Sequence, residues 1–365
     1  GNVKWEERKN VFGSFLSYSE DHDILIQSMR PSRDMALGEE GKRMMALKGT
    51  DGGVIWDKKT EYRTFPIIHN SRIISESGAL DLLTGAPVMR TDPLTGAESP
   101  WSWRREYGCN YPIASEHMLS FRSGAAGFFD LDGDSGTGNF GGFKSGCTAS
   151  LIAADGVLNA PDYTRTCSCS YQNQTSLALV SMPQNEMWTY STLRMPKAPI
   201  LRLGINFGAP GDRIAGNGTL WLDYPPSGGP SPEVPVTITP ETVKYHRMHS
   251  LRIGGDDLPW VAASGCAGAR RITIALNGEK AAPGAYTVRL VFAEPEEYLP
   301  GQRIFDVSLQ GAPAIRGLDI ARETGGPRKA LVKEFRNIRI EKDLVIEFAG
   351  KSPSVISGVE VVKEQ

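Results

Sequence analysis

Arginine, tyrosine and lysine side chains suited to an anionic sugar recur through the first half of the sequence. The arginines that flank short apolar runs include Arg30, Arg63, Arg105 and Arg165. A guanidinium group pairs with a carboxylate or sulfate through two hydrogen bonds, and a tyrosine such as Tyr163 stacks on a sugar ring. Tyr107 and Lys144 are candidates to abstract a proton beside a carboxylate that an arginine neutralises. These residue types predict an acidic glycan as the ligand, with elimination as the reaction if there is one.

Two similar segments, 33 residues apart, indicate the elements that hold these side chains. Ala46–Trp56 and Ala79–Met89 both begin with Ala-Leu, carry a glycine at the same offset and end on a large apolar residue. A period of this length is typical of repeat architectures, in which a short β unit buries its faces only against its neighbours. An ordinary antiparallel meander with two similar turns is the alternative interpretation.

The repeat resembles the tryptophan-docking motif of pyrroloquinoline-quinone-type (PQQ-like) β-propellers, in which alanine and tryptophan lock one blade onto the next. Trp56 stands at the docking position of the first copy, and Met89 replaces tryptophan in the second. The resemblance implies about four PQQ-like blades in residues 1–182, as a partial or small β-propeller. It also implies that the arginines above share one rim of the blades with Tyr107, Lys144 and Tyr163.

PQQ-like propellers usually have seven or eight blades, so four blades predict that something else completes the ring. The remaining blades would come from a missing N-terminal segment or from another chain, with a small closed ring or paired half-rings as alternatives. Members with this repeat often carry no quinone, and the sequence offers no residue set for one. No cofactor is therefore expected to be required, and a quinoprotein dehydrogenase fragment is the weakest interpretation of function.

Four of the five cysteines fall within the last two predicted blades: Cys109, Cys147, Cys167 and Cys169. A bond between the last two would close a very tight ring, so each is expected to pair with one of the first two. Each disulfide would stabilise the fold by about 2–4 kcal/mol. Disulfides predict an oxidising compartment, so the protein is expected to be secreted or periplasmic. A four-thiolate zinc site is the alternative, although the Cys-x-x-Cys pairs typical of structural zinc are absent from the sequence.

Asp130, Asp132 and Asp134 alternate along a short loop and are candidates for a calcium site. The spacing departs from an EF-hand, because the glycine comes one place late and the twelfth position is Gly141. The sequence lacks motifs for nucleotide binding, serine hydrolysis, zinc proteolysis and covalent haem. A net charge of −2 argues against nucleic-acid binding, and the sequence has no apolar run long enough for a membrane span.

The second half of the chain predicts a different architecture. Residues 183–235 are rich in proline and glycine and are predicted to form an ordered connector. Residues 236–365 alternate between apolar, strand-like runs and turns, which predicts a β-sandwich.

Four segments of this second half are similar to the malectin-like family: Tyr286–Glu294, Gly301–Gly311, Leu318–Ile320 and Ile356–Val361. The resemblance implies a jelly-roll β-sandwich, and some members of the family bind glucose-containing oligosaccharides through aromatic residues on loops. The half of the domain that usually carries these aromatics matches poorly here. Trp260 and Tyr298 are the nearest candidates for contact with a sugar.

Together the two halves predict an all-β, extracytoplasmic protein that binds or processes carbohydrate. The propeller rim would bind an acidic polysaccharide, and the protein would be an enzyme only if a lyase reaction occurs there. The alternative is a non-catalytic scaffold in which the propeller is a platform for assembly. A pocket at the mouth of the central channel favours the first interpretation, and a mouth filled by side chains favours the second.

Overall fold

The structure is a computed structural model that describes residues 2–39, 42–76, 78–143, 146, 149–161, 175–180, 182, 186–255, 258–277 and 283–364. This part of the chain is almost entirely β-structure, with few and short helices. The chain separates into two compact units. Unit 1 comprises residues 1–91 and 98–181, and unit 2 comprises residues 92–97 and 182–365. No helix among the described residues is both long and apolar enough to cross a membrane.

The described residues of unit 1 form small antiparallel sheets in which neighbouring strands follow one another along the chain. The first sheet contains β1 to β4: Phe15–Ser19, Ile24–Ser28, Arg43–Lys48 and Val54–Lys59. A short helix, α1 (Pro31–Ala36), lies between β2 and β3. The second sheet contains β5 to β7, and β8 and β9 form a hairpin after it: Ile67–His69, Arg72–Ser75, Gly78–Asp81, Met89–Thr91 and Glu98–Pro100. The third sheet contains β10 to β13, and the fourth contains β14 to β16: Ile113–Ala114, Met118–Ser123, Ala125–Asp130, Thr137–Asn139, Ile152–Ala154, Val157–Ala160 and Thr175–Ala178.

A tryptophan joins the first sheet of unit 1 to the second. The indole nitrogen of Trp56, on β4, donates a hydrogen bond to the carbonyl of Leu82 at 2.9 Å. Its ring covers Gly85, where a Cβ would lie 2.8 Å from the ring. Trp5 makes the same contacts one repeat earlier, with its nitrogen donating to the Gly49 carbonyl at 2.8 Å and its ring over Gly52. Each turn therefore needs glycine, since a larger residue would meet the indole.

A third copy of the repeated turn follows the second by 11 residues and was missed by the sequence analysis. Asp92–Ala97 reads Asp-Pro-Leu-Thr-Gly-Ala, and Asp81–Ala86 reads Asp-Leu-Leu-Thr-Gly-Ala. Both turns close with a hydrogen bond of 2.8 Å from the glycine amide to the aspartate carbonyl. In the third copy Leu94 is fully buried and belongs to the hydrophobic core of unit 2. The second copy of the turn thus receives a tryptophan ring, whereas the third copy contributes a leucine to the core of unit 2.

Unit 2 is a sandwich of β-strands. In chain order β17 to β30 are Arg202–Phe207, Arg213–Ile214, Leu220–Tyr224, Val236–Thr239, Lys244–Arg247, Ser264–Ala267, Arg271–Ala275, Gly284–Phe292, Phe305–Leu309, Ala312–Leu318, Leu331–Ile340, Asp343–Ala349, Val355–Ile356 and Gly358–Lys363. Among the described residues, one sheet has the order β18-β19-β17-β30-β24-β27, a second β20-β23-β28-β25-β26, and a small third β21-β22-β29. Two short helices are α2 (Pro259–Ala262) and α3 (Ile320–Thr324).

The two larger sheets of unit 2 share one hydrophobic core. On β23 the alternation of apolar and polar residues buries Ile272 and Ile274, which join Val288 and Leu290 of β24 in that core. Burying an aliphatic side chain of this size stabilises the fold by about 1.5–3 kcal/mol. This core fixes the outer face of the six-stranded sheet, where Trp221 lies over Gly204.

Candidate functional site

Three aromatic rings stack near the first strands of three consecutive sheets in unit 1. Phe65, just before β5, stacks on Phe15 of β1 with 4.7 Å between ring centroids. It also stacks on Tyr111, just before β10, at 4.1 Å. We call Phe15, Phe65 and Tyr111 the aromatic stack. The guanidinium carbon of Arg30, which follows β2, lies 4.8 Å from the centroid of Phe65 and places a positive charge on this stack.

Arg30 is partly buried, and one nitrogen of its guanidinium group lies inside the fold. Its Nε has no hydrogen-bond acceptor among the described residues, whereas its backbone amide donates to Asp34 at 2.6 Å. An unpaired buried donor costs about 1–3 kcal/mol. Arg63 is exposed, and the part of the chain that the structure describes gives its side chain no ion pair. These two predicted ligand-binding arginines therefore keep hydrogen-bonding capacity.

Arg105 has a structural partner. Its Nε donates to Glu76 at 2.9 Å and its Nη2 donates to the other carboxylate oxygen at 3.2 Å. It also donates to Asn110 and to the carbonyl of Arg122, both at 3.3 Å. A guanidinium bonded on several sides in a buried position orders the loops around it. This placement leaves Arg105 no free edge for a ligand.

Of the predicted catalytic pair, Tyr107 and Lys144, only Tyr107 lies among the described residues. Tyr107 is 69% exposed, and its hydroxyl lies 3.2 Å from the Cys109 sulfur. Lys144 lies outside the described residues, as do two predicted ligand-binding residues, Tyr163 and Arg165.

The disulfide prediction needs a correction at Cys109. Cys109 is an exposed free thiol in the structure, with its sulfur beside the Tyr107 hydroxyl instead of another sulfur. Cys147, Cys167 and Cys169 lie outside the described residues, so pairing or metal binding among them stays a prediction. Cys266 is a buried free thiol, and burial raises its pKa to about 12.

Each of the three candidate calcium ligands contacts another group of the protein. Asp130 caps its own turn by accepting hydrogen bonds from the Gly133 amide and the Ser135 hydroxyl. Asp134 accepts a hydrogen bond from the Trp101 indole at 2.9 Å and pairs with Arg90 at 3.2 Å. Asp132 is exposed and lies 3.0 Å from His117. Within the described ranges no three histidine, cysteine or acidic side chains gather as a metal site would require.

Trp260 of unit 2 lies in a group of large aromatic and charged side chains. It meets Trp188 and Trp221 edge to face, with centroids 6.0 Å and 5.8 Å apart. The guanidinium carbon of Arg213, on β18, lies 5.0 Å from the Trp260 ring centroid. Glu186 is close enough to Arg213 to influence its pKa. We call Glu186, Trp188, Arg213 and Trp260 the Trp260 group.

The two charged residues of the Trp260 group, Arg213 and Glu186, lie near each other without forming an ion pair. Burial lowers the pKa of Arg213, and the carboxylate of Glu186 partly offsets this effect. Even so, no ion pair joins the two among the described residues, and Arg213 Nη1 and Glu186 Oε1 are both buried without hydrogen-bond partners there. The indole nitrogen of Trp221 is also unpaired in the described part of the chain. Groups of this kind are rare in folded proteins unless water or a ligand satisfies them.

Tyr298 lies in a second charged group of unit 2. The guanidinium carbon of Arg303 is 4.7 Å from the Tyr298 ring centroid, and its Nε is 3.4 Å from Glu294. Arg303 is 8% exposed, and its Nη1 has no acceptor among the described residues. Burial and the Arg303 charge lower the pKa of His246 to about 4, so this histidine is neutral at pH 7. We call His246, Glu294, Tyr298 and Arg303 the Tyr298 group.

The sequence predicts one aromatic residue of each group in unit 2, Trp260 and Tyr298, but not the charged residues beside it. Arg213 is 47 positions from Trp260 along the chain, so spacing gives no sign of their contact. Arg303 had a usable signal, because it lies in Gly301–Gly311, one of the segments that resemble the malectin-like family. Trp188 also had a signal, because it is a tryptophan in a polar stretch within the predicted connector, 183–235.

Comparison with solved structures gives distant likenesses. The chain is similar to a Bacteroides uniformis beta-glucuronidase, with 17% identity, 45% of this chain and 18% of that chain covered, and a TM-score of 0.35. It is similar to Bacteroides uniformis beta-glucuronidase 2 covalently bound to cyclophellitol-6-carboxylate aziridine, at 12% identity, 88% and 27% coverage, and a TM-score of 0.37. It is also similar to the ANXUR2 extracellular domain from Arabidopsis thaliana, at 15% identity, 44% and 48% coverage, and a TM-score of 0.35.

The chain thus spans between about a fifth and a half of the length of these proteins. No curated protein matches its sequence. One family match is found, and it lies within unit 2. Residues 279–362, from just before β24 into β30, match the Malectin domain family.

Proposed function

We propose that this chain is an extracytoplasmic carbohydrate-binding protein whose ligand is an acidic polysaccharide. The observation that carries the proposal is a recurring pair, an arginine that lies against an aromatic ring and has a buried nitrogen without a hydrogen-bond partner among the described residues. The pairs are Arg30 with Phe65, Arg213 with Trp260 and Arg303 with Tyr298. The malectin match in residues 279–362 supports carbohydrate as the ligand class.

The chemistry of these pairs suits a sugar that carries a carboxylate or sulfate. The aromatic ring offers a flat surface for the apolar face of a pyranose, and the guanidinium offers paired donors to an anion. A ligand oxygen that reaches the unbonded nitrogen recovers the free energy that its isolation costs. A neutral sugar can make the same contact with the aromatic ring, but it has no negative charge to pair with the guanidinium.

The sheets of unit 1 are proposed to be blades of a PQQ-like propeller. The sequential strand order and the docking of Trp5 and Trp56 on successive glycine turns support this architecture. Residues 1–182 are proposed to be blades and residues 236–365 to belong to a malectin-like sandwich, to which the predicted connector, 183–235, contributes the strands β17 to β19. The remaining blades would come from a longer chain or from another chain.

Binding is favoured over elimination at the rim of these blades. A lyase needs a base and a cation that neutralises the substrate carboxylate. Arg105 is already bonded to Glu76, and the Tyr107 hydroxyl lies beside Cys109. Arg30 lies among the described residues and is available for binding, whereas Lys144, the predicted partner of Tyr107 in proton transfer, lies outside them.

A scaffold is the second candidate function, and the aromatic stack favours it. Phe15, Phe65 and Tyr111 fill the space beside the first strands of three sheets with rings 4.1–4.7 Å apart. Rings packed in this way close a channel mouth as readily as they receive a sugar. In the scaffold interpretation the stack only holds the sheets together, and the protein binds partners instead of glycans.

Affinity electrophoresis of the full chain in gels containing polygalacturonate tests the proposal. Retardation is expected for the wild-type protein, and Arg30→Gln and Tyr298→Ala should each reduce it. Tyr245→Ala is the matched control, because Tyr245 is 40% exposed and Tyr298 is 39% exposed in the same unit. Unretarded wild-type protein would reject glycan binding and favour the scaffold. A rise in absorbance from unsaturated sugar during incubation would show that the protein cleaves the polymer by elimination, and would favour the lyase interpretation.

A further inference from the structure

The Trp260 group has the composition of a sugar subsite with opposite charges at its two ends. Trp188 and Trp260 meet at an interplanar angle of 73° and are both half-buried, so each keeps an accessible edge or face. Arg213 lies on the Trp260 ring, and Glu186 approaches Arg213 without pairing with it. The arrangement places two indole rings, in edge-to-face contact, beside a hydrogen-bond donor and an acceptor.

The Arg213 and Glu186 atoms that have no hydrogen-bond partner among the described residues indicate which ligand groups would suit the Trp260 group. Arg213 is a partly buried cation with no carboxylate partner among the described residues. Such a charge is costly unless an anion compensates it. Glu186 has a buried oxygen without a donor in the described part of the chain, its other oxygen is 4.0 Å from His249, and its side chain is only 12% exposed. An anion at one end and hydroxyl donors at the other would satisfy both.

We infer that Glu186, Trp188, Arg213 and Trp260 form a subsite for a single uronic-acid residue of the polysaccharide. The carboxylate of the sugar accepts hydrogen bonds from Arg213, and a ring hydroxyl donates to Glu186. The apolar face of the pyranose packs on Trp188 and Trp260. This inference rests on the proposed function and gives it a site in unit 2, separate from the aromatic stack of unit 1.

The chemistry distinguishes a uronate from a neutral hexose. A hexose of the same shape has the hydroxyl for Glu186 and the face for the tryptophans, but it leaves the charge of Arg213 uncompensated. A bidentate contact between guanidinium and carboxylate contributes more than a neutral hydrogen bond. The uronate should therefore bind about 10-fold to 100-fold more tightly than its methyl ester, which keeps the ring and removes the charge.

Isothermal titration of the full chain with trigalacturonate, its fully methyl-esterified form and maltotriose tests the subsite. Arg213→Gln should weaken binding of trigalacturonate about 10-fold or more and leave the ester almost unchanged. Trp188→Ala should weaken both. Arg271→Gln is the control, because Arg271 is an exposed arginine of unit 2 that pairs with Glu347 at 3.2 Å.

A second measurement on the wild-type chain avoids variants that fail to fold. Phenylglyoxal modifies accessible arginines, and mass spectrometry locates the modified positions. Trigalacturonate should protect Arg213, and maltotriose should not. Unchanged trigalacturonate affinity in a folded Arg213→Gln variant, or equal modification of Arg213 with and without trigalacturonate, would overturn the subsite while leaving the proposed function in place. A wild-type chain that binds no acidic sugar would overturn both.

Discussion

The ring of Trp56 lies so close over Gly85 that a methyl group on this glycine would be 2.8 Å from it. Gly85 also has a φ of +64°, which side chains rarely adopt. Gly85→Ala should therefore destabilise unit 1 by about 2 kcal/mol, through overpacking against the indole and backbone strain. Thermal unfolding followed by circular dichroism measures the loss.

Gly124→Ala separates the two causes of that loss. Gly124 has a φ of +72°, but a methyl group added to it would have nothing within 4 Å among the described residues, so only backbone strain acts there. Gly124→Ala should therefore lower the free energy of unfolding clearly less than Gly85→Ala does. Equal losses for the two substitutions would show that Trp56 does not depend on the glycine for its position.

Leu94 and Leu83 occupy the same position in two copies of one turn but differ in burial. Leu94 is fully buried in the core of unit 2, and Leu83 is 49% exposed. Leu94→Ala should destabilise unit 2 by about 2–5 kcal/mol, since it leaves a cavity in that core. Leu83→Ala should cost well under about 1 kcal/mol. Urea unfolding of both variants tests the difference, and similar losses would contradict the packing described for the third copy.

Glu294 neutralises the buried guanidinium of Arg303. Burial raises the pKa of the Glu294 carboxyl, while the Arg303 charge lowers it. Glu294→Gln leaves a buried positive charge unpaired and should destabilise unit 2 by about 3 kcal/mol. The control is Glu347→Gln, which breaks the exposed pair with Arg271 and should cost at most about 1 kcal/mol. Equal stability of the two variants in urea would contradict a buried pair.

His246 predicts a pH dependence for unit 2. Its pKa is lowered from 6.5 to about 4, so the folded state binds fewer protons than the unfolded state between these values. The stability that follows from this shift is complete above pH 6.5 and is lost as the pH falls towards 4. The loss amounts to about 3 kcal/mol. In His246→Gln this part of the pH dependence should disappear from the free energy of unfolding. An unchanged pH profile would contradict a partly buried histidine that is neutral in the folded state.

Local sequence patterns predict the strands of unit 2 well, because burial on one face of a sheet leaves an alternating pattern. The strand-like alternation predicted across residues 236–365 is clear at β23 (Arg271–Ala275) and β28 (Asp343–Ala349). The glycine turn of Ala79–Met89 was also predictable, since Gly85 must accommodate the ring of Trp56. The partial or small propeller of about four blades stays a prediction.

The docking residue of the second sheet could not be predicted from the repeat. Met89 stands at the docking position in the sequence but is 49% exposed. Met89 begins the hairpin of β8 and β9, and Trp101, directly after this hairpin, donates to Asp134 in the turn of the third sheet. The inserted hairpin displaces the tryptophan from the register of the repeat. The same contact explains why Asp134, a candidate calcium ligand, serves instead as an acceptor for an indole.

The charged residues of the candidate sites were the least predictable part of the chain. Arg213 and Trp260 are brought together by the outer face of a sheet whose strands are far apart in sequence. Arg105 looked like a ligand-binding residue by its type and neighbours. Its buried pair with Glu76, 29 positions away, depends on the pairing of loops that no local pattern records.

The most direct test of the central claim is calorimetric titration of the wild-type full chain with polygalacturonate and with the same polymer after complete methyl esterification. Arginines that lie on aromatic rings and have unbonded nitrogens predict saturable binding of the acid, at least about 10-fold tighter than the ester and weakened by added salt. Equal affinities for the two polymers, or no heat from either, would contradict the claim that these arginines bind an acidic glycan.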